Sequence, residues 1–427
     1  MSTTSEEVSS LEEESFKNSK IRVKPKTSTM VPSSSAIIGE GSYGCVYRPA
    51  LRCADRSDID YRGTVTKILT RENAEKELRE FENIDLVDPD ERFHVGKPKS
   101  CRPQNIDRHI FSKCNPLKNS TSQEDYLLLV MPDGGMDLAK FFQSGAYKTY
   151  FQKFGEAGLD HFLQAALELL IGLAVMQLNG VCHHDIKTQN VVIQTDPTTG
   201  KIQLKLIDFG MMKTFDEIKK ESTRSRYKYG TYWFNFPLTC GIMNQDMFNL
   251  ARSLRNREEL DQNLFTERAK KAVFYFSQDI GEQNPYQIFL DYCKWFLART
   301  PDTAVYDNFL DYAVRKIDIF GMGFALTQAV FNLKPIFDKY PSGRKFDHFY
   351  KFFRRMTEYN SPINVNAYIE DYKAMLSMKP RRQVGGFDRY ADPEPLLMGG
   401  ASRKSKKSRK SKKSRGKKRK ATRKSRV

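Results

Sequence analysis

The sequence predicts an α+β chain in two parts, a small strand-rich region followed by a larger, mainly helical one. Three observations carry that expectation. Strand-like runs cluster between Ala36 and Met131, a long apolar segment fills His161 to Asn179, and helical patterning continues towards residue 380.

The elements follow in order. Residues 1–34 are polar, poor in large apolar side chains and expected to be disordered. Ile37-Ile38 leads into a glycine-rich turn, and Cys45-Val46-Tyr47 leads out of it. Thr64 to Leu69 alternates as a strand with charge on one face. Leu78, Phe81 and Ile84 stand at helical spacing within Glu72 to Ile84. Residues 94–123 read as an irregular loop. Tyr126 to Met131 is a continuous apolar run, as a central strand should be, so the small part is expected to span 35–132. In the larger part, 133–380, His161 to Asn179 reads as one buried helix stopped by Gly180. Val191 to Ile193 and Leu204 to Ile207 read as short strands joined by a turn at Asp196 to Gly200. Residues 245–300 and 317–334 read as helical.

The formal charge of +18 is local. Residues 401–427 hold sixteen of the 70 Lys and Arg and no acid, which leaves 54 basic against 52 acidic residues elsewhere. Residues 381–427 are expected to form a disordered tail, strongly basic from 403. The seven cysteines, Cys45, Cys53, Cys101, Cys114, Cys182, Cys240 and Cys293, include no C-x-x-C pair, so free thiols in a reducing compartment are expected. Phe162 to Leu178 is apolar but short and interrupted by Gln164, Glu168 and Gln177, which predicts a core helix and no membrane association. No apolar leader opens the sequence, so the expected location is intracellular.

Several short motifs carry chemistry. Gly39-Glu40-Gly41-Ser42-Tyr43-Gly44-Cys45-Val46 lies between two strands. Its glycines let backbone N–H groups approach a polyphosphate. A dinucleotide-binding turn would lead into a helix instead. Lys67, on the next strand, is placed to reach phosphates under that loop if a carboxylate holds it. Glu77 is the first choice for that partner and Glu80 the second. In His183-His184-Asp185-Ile186-Lys187-Thr188-Gln189-Asn190, Asp185 can accept a hydroxyl proton and Lys187 can neutralise a phosphoryl group. Asn190 offers an oxygen to Mg²⁺, and Asp208 of Asp208-Phe209-Gly210 offers another.

This ordered set resembles the eukaryotic protein kinase family over roughly residues 36–380. The resemblance implies a bilobal protein kinase fold, with a small β-rich N-lobe at 35–132 and a large mainly α-helical C-lobe at 133–380. It also implies ATP between the lobes, Mg²⁺, and transfer of the γ-phosphoryl group to protein serine or threonine. Lys187, two residues after Asp185, is similar to the Ser/Thr branch. Ile38, Gly39, Gly41, Ser42, Tyr43, Gly44 and Val46 would cover the nucleotide. With Val130 as gatekeeper, adenine would use the C=O of Met131 and the N–H of Asp133. Pro132, which has no N–H, would fall where no donor is needed. Asp318 resembles the family's buried aspartate beneath the catalytic loop, although a helix N-cap is the ordinary alternative.

The sequence departs from the family in three places. His184 stands where an arginine usually precedes the catalytic aspartate. No Ala-Pro-Glu element follows Tyr229, since the stretch ends in Pro237-Leu238. About 80 residues separate Pro237 from Asp318, which suggests a helical insertion at about 240–315 that binds a partner or pads the lobe. With Gly44-Cys45-Val46-Tyr47-Arg48-Pro49 and the basic tail, these details resemble kinases of large nucleocytoplasmic DNA viruses. The resemblance extends the expected locations to host cytoplasm, nucleus or virion. Residues 403–426 suit sequence-blind, salt-sensitive contact with nucleic acid, a nuclear-localisation role, or phosphorylation at Ser405, Ser408, Ser411 and Ser414. A virion structural or packaging protein with an incidental kinase fold is the competing expectation.

Overall fold

The computed structural model describes residues 35–41, 43–104, 113–117, 125–223, 235–237, 239–240, 243–246, 248–249, 306–340, 346–358 and 361–377. The expectations for residues 1–34, for Ser42, for Cys293, for the tail 381–427 and for most of 240–315 lie outside them.

The N-terminal region is a five-stranded antiparallel sheet built from β1 (Ala36–Gly41), β2 (Gly44–Arg48), β3 (Thr64–Thr70), β4 (Lys99–Cys101) and β5 (Tyr126–Pro132). Their order is β1-β2-β3-β5-β4. Helix α1 (Arg71–Val87) follows β3 directly, and the Thr70 hydroxyl caps it by accepting from the Asn73 N–H. The Cα-to-Cβ position of Gly44 explains its glycine. An added Cβ would lie 2.0 Å from the Ile68 carbonyl oxygen, so the β2–β3 approach admits no side chain there.

Two expectations for this region need correction. The β3 strand does not keep one charged face. Ile68 joins Cys45, Tyr47, Leu128 and Val130 in a cluster on one side, while Leu69 packs with Ala74, Leu127 and Leu129 on the side of α1. A strand in mid-sheet is covered on both faces, which suppresses alternation. Residues 94–123 are not wholly irregular either, because Lys99–Cys101 pairs with β5.

The cysteine expectation is overturned more sharply. Cys45 is bonded to Cys114 and Cys53 to Cys101, across 69 and 48 residues, while Cys182 and Cys240 are free and buried. A search for closely spaced pairs cannot see bridges made by strand pairing and loop return. Native bridges of this kind contribute about 2–4 kcal/mol each. Treatment with a phosphine reductant is therefore expected to lower the denaturant midpoint of the wild type. A variant with all four of these cysteines changed to serine should not respond. An unchanged wild-type midpoint would count against the bridges.

The C-terminal region begins with β6 (Met136–Asp137), α2 (Leu138–Gln143) and α3 (Ala146–Leu178). The α3 helix is longer than expected and is two helices merged at Gly155, whose backbone is non-helical at φ 57°. Among the described residues it is the helix long and apolar enough to cross a membrane, by length and composition. Its Leu159, Phe162, Leu163, Leu170 and Leu173 are buried in the main core. Next come β7 (Val181–Cys182), β8 (Val191–Thr195), β9 (Ile202–Leu206), β10 (Lys213–Thr214) and α4 (Phe215–Ser222). The β8–β9 turn forms as expected, with Asp196 Oδ1 accepting from Thr198 and Thr199 N–H at 2.8 Å each.

Among the described residues, four further helices follow: α5 (Tyr306–Asn332), α6 (Lys334–Lys339), α7 (Phe346–Thr357) and α8 (Val365–Ser377). The expected insertion boundary at 315 falls within α5, which runs unbroken into the Asp318 segment. The whole is a bilobal arrangement with a sheet-rich N-terminal region and a helix-rich C-terminal region, consistent with a kinase-like fold.

Lys316 on α5 is 1% exposed, and its ammonium donates to the Met356 carbonyl at 3.1 Å and to the Ser361 hydroxyl. Burial pulls its pKa down to about 7 from the ordinary 10.5, with Glu358 opposing. Between these values the unfolded chain binds the proton and the folded chain does not, so stability rises with pH across that window. Relative to Lys316→Met, the wild-type melting temperature is expected to climb from pH 7 to pH 9. Parallel curves would refute the assignment.

Candidate active site

The segment from Cys182 to Asn190 is held from below by α5. Asp318 accepts the His183 N–H at 2.7 Å and the His184 N–H at 2.9 Å. Because Asp318 lies well inside α5, it is not a helix N-cap. A second glycine matters here. A Cβ on Gly321 would lie 2.7 Å from the Ile186 carbonyl oxygen, so α5 approaches the loop backbone too closely for a side chain. His183 adds a further brace, with Nε2 3.1 Å from the Ile207 carbonyl and Nδ1 accepting the Asp185 N–H at 3.3 Å.

These contacts aim Asp185, which is 8% exposed. Its Oδ2 accepts from Asn190 Nδ2 at 2.9 Å and from Lys187 Nζ at 2.9 Å. Its Oδ1 accepts from Asn235 Nδ2 at 3.0 Å. The structure thus brings Asp185, Lys187 and Asn190 together as the sequence suggested. It adds Asn235, which sequence reasoning missed. Asn235 lies 50 positions downstream in a stretch without a recognised motif, so no local signal marks it. The loop also stores strain, since His184 and Asp208 adopt φ of 69° and 64°, a region costly for residues with a Cβ.

His184 stacks on Phe236 with ring centroids 5.3 Å apart. Burial, aided by nearby Lys213, pushes its pKa down to about 4. It is neutral near pH 7 and supplies no cation in place of the missing arginine.

Lys67 stands across from this loop. Its ammonium lies 2.7 Å from Glu77 Oε2 and 3.0 Å from Oε1, and 3.5 Å from Asp208 Oδ1. Burial opposes its charge, but the Asp208 and Glu77 carboxylates outweigh that and hold its pKa above the ordinary lysine value. In return, the Lys67 charge holds the Asp208 carboxyl below its usual range. Glu80, the alternative partner, instead lies 3.8 Å from Lys76, and burial raises its pKa to about 7. Phe209 is fully buried between Phe81 and His183, which fixes the backbone beside Asp208.

In the glycine-rich turn, Val46 is paired with Lys67 across the ladder and so shares its face. Gly39 and Gly41 would meet nothing closer than 3.9 Å with an added Cβ, so packing does not demand glycine at either position. Open space over the loop backbone is what a bound polyphosphate requires. Tyr43 is 57% exposed, and the Ile38 carbonyl accepts from Lys140 Nζ at 2.7 Å.

The expected linker contacts are corrected by strand register. Lys67 pairs with Leu129, and Val65 with Met131. Side chains of directly paired residues share a face, so Leu129 faces the Lys67 side and Val130 faces the opposite cluster. Val130 therefore does not share the Lys67 face as a gatekeeper would, and Leu129 does. The Asp133 N–H donates to the Gly63 carbonyl at 2.8 Å. Met131 lies two residues back along the same ladder and turns its polar groups to the same neighbour. The C=O of Met131 and N–H of Asp133 are thus directed at β3 and its preceding loop, not at a base. The rest of Asp133 is also engaged. Its carbonyl accepts from Gln194 Nε2 at 3.1 Å, and its carboxylate takes Arg48 and the Gly135 N–H.

A magnesium ion fits the residues present. Among the described residues no three His, Cys, Asp or Glu side chains cluster as metal ligands. Mg²⁺ commonly takes one or two protein oxygens and completes its shell with phosphate and water. Asp208 is a carboxylate held in its charged form. The Asn190 Nδ2 bonds to the Asp185 carbonyl and carboxylate leave the Asn190 Oδ1 as an additional hard oxygen.

A kinase-like, two-region protein with a cationic and carboxylate-lined site is the class that this fold and geometry define. Comparison with known proteins agrees. The protein kinase domain model matches residues 113–239. Serine/threonine-protein kinase ppk31 of Schizosaccharomyces pombe is 36% identical over 97 residues, 23% of this chain and 8% of that protein. Mitogen-activated protein kinase kinase kinase ANP1 of Arabidopsis thaliana is 23% identical over 231 residues, 51% of this chain and 30% of that protein. Mitogen-activated protein kinase kinase kinase 3 of Arabidopsis thaliana is 28% identical over 96 residues, 22% and 14% of the two lengths. This chain therefore spans only a minor part of each of these relatives. The matches support a kinase-type activity in general, and a protein kinase domain implies ATP binding in general.

Proposed function

We propose that the chain is a serine/threonine protein kinase that transfers the γ-phosphoryl group of ATP to protein hydroxyls. One observation carries the reading above others. Lys67, from the sheet, lies 3.5 Å from Asp208, 141 positions later in the other region, beside the Asp185–Lys187–Asn190 cluster. A protein with no phosphate to position has little use for that convergence.

Each residue has a defined part. Lys67, steadied by Glu77, binds the α- and β-phosphates. Asp185 receives the proton of the serine or threonine hydroxyl as that oxygen bonds to the γ-phosphorus and the bond to the β,γ-bridging oxygen breaks. Lys187 balances charge on the moving group. Mg²⁺, held by Asp208 and Asn190, would supply charge neutralisation and phosphate orientation. The backbone around Gly39, Gly41 and Gly44 covers the phosphates.

The competing reading is a packaging or structural protein, and the sixteen-cation stretch in 401–427 is what favours it. That tail suits non-specific contact with nucleic acid in either case. The narrower likeness to viral kinases rests on the motif details and the tail alone. An intracellular location, with virion packaging as a variant, remains part of the proposal, although two disulfides fit poorly with a strongly reducing compartment.

The test is transfer of labelled phosphate from Mg·ATP to casein by the purified full chain, followed by phosphoamino-acid analysis. Phosphoserine or phosphothreonine is expected. Phosphotyrosine alone, or label only in small molecules, would overturn the substrate class, and no transfer to any acceptor would overturn the enzyme reading.

A further inference from the structure

We infer that Pro132 deletes the hydrogen-bond donor that this linker would otherwise offer to a purine ring, so that the site holds the base without a contact to purine N1. The inference rests on the nucleotide-binding reading above and adds a specificity feature to it.

The argument is one of strand parity. In an antiparallel ladder, residues alternate between turning both polar groups to one neighbour and turning both away. The Asp133 N–H lies on the Gly63 carbonyl, and the pairings Val65 with Met131 and Lys67 with Leu129 continue that register. Leu129, Met131 and Asp133 therefore turn their polar groups to the β3 side. Val130 and Pro132, opposite Thr66 and Thr64, turn theirs away. Val130 turns its groups to β4, where it pairs with Lys99, so the group left for another partner is the carbonyl of Pro132, which lies past the last β4 pair and is exposed. The N–H that would complete the set is absent, because residue 132 is proline.

The same parity explains why proline is tolerated. At a position that does not bond to β3, its missing N–H costs the ladder nothing. The loss falls on the opposite edge, at the exposed stretch just beyond β4 that the proposal gives to the base. The Asp133 N–H cannot swing round to compensate without giving up Gly63, and its carbonyl and carboxylate are tied to Gln194, Arg48 and Gly135. Adenine presents a donor at its 6-amino group, which suits a carbonyl such as that of Pro132. It presents an acceptor at N1, which then has no linker N–H to meet.

The experiment compares ATP with 1-deaza-ATP, in which N1 is replaced by C–H, by displacement of a fluorescent nucleotide from the full-length chain. For the wild type the two dissociation constants are expected to agree within about twofold. Pro132→Ala restores an N–H, and is expected to tighten ATP by about two- to tenfold while leaving 1-deaza-ATP unchanged. A fivefold or larger wild-type preference for ATP over 1-deaza-ATP overturns the inference without touching the kinase reading. So does a Pro132→Ala protein with the same ratio as wild type. If that variant fails to fold, the wild-type ratio alone decides. Absence of all nucleotide binding overturns the kinase reading and this inference together.

Discussion

Asp185→Asn is expected to reduce phosphate transfer by roughly 10²–10⁴-fold while leaving nucleotide binding nearly intact. The carboxylate collects three donors, from Asn190 and Lys187 on Oδ2 and from Asn235 on Oδ1. An amide of the same shape has one acceptor oxygen and no charge. It cannot take the hydroxyl proton, and its own NH₂ must face one of those donors. Lys67, Glu77 and Asp208 lie outside that change and keep their contacts. The loss should therefore appear in the transfer rate with little effect on nucleotide displacement. Transfer within tenfold of wild type would remove Asp185 from the chemistry.

Asp318→Ala is expected to cost about 2–6 kcal/mol of folding stability and to abolish transfer with it. The aspartate is 3% exposed and accepts the N–H groups of two successive residues, His183 and His184. Alanine leaves both donors buried without that acceptor, at about 1–3 kcal/mol each. The strained backbone of His184, at φ 69°, also loses the clamp that maintains it. Burial raises the pKa of Asp318 above the ordinary carboxylate value, so its charge is itself costly to bury. Asp318→Asn, which keeps one acceptor and sheds that cost, should lose less than half as much in urea denaturation. Equal losses for the two variants would mean that packing, not hydrogen bonding, sets the role of this position.

The disulfides show where local reading stops. Cys45 and Cys114 are 69 residues apart and meet because the chain returns to the face of β2. Nothing in their spacing signals this. Asn235 is similar, an ordinary residue that matters only because it reaches Asp185. The pairing of Lys67 with Glu77 was readable as one of two choices, since Glu77 and Glu80 share a helical turn. The contact at 2.7 Å decides between them.

The linker residues give the clearest division. Tyr126 to Met131 was legible as a central strand, yet its facing was off by one residue, and in a two-residue repeat that reverses every side chain and every backbone group. An unbroken apolar run has no alternation from which to read a face, and only the pairing of Lys67 with Leu129 supplied it. By itself the sequence determined the two-region α+β plan and singled out Lys67, Asp185, Lys187, Asn190 and Asp208 as candidates, because order along the chain and residue chemistry suffice for that. Tertiary structure alone decided which partners they meet, which cysteines join and which way the linker groups turn, because those depend on register and on contacts between residues far apart in the chain.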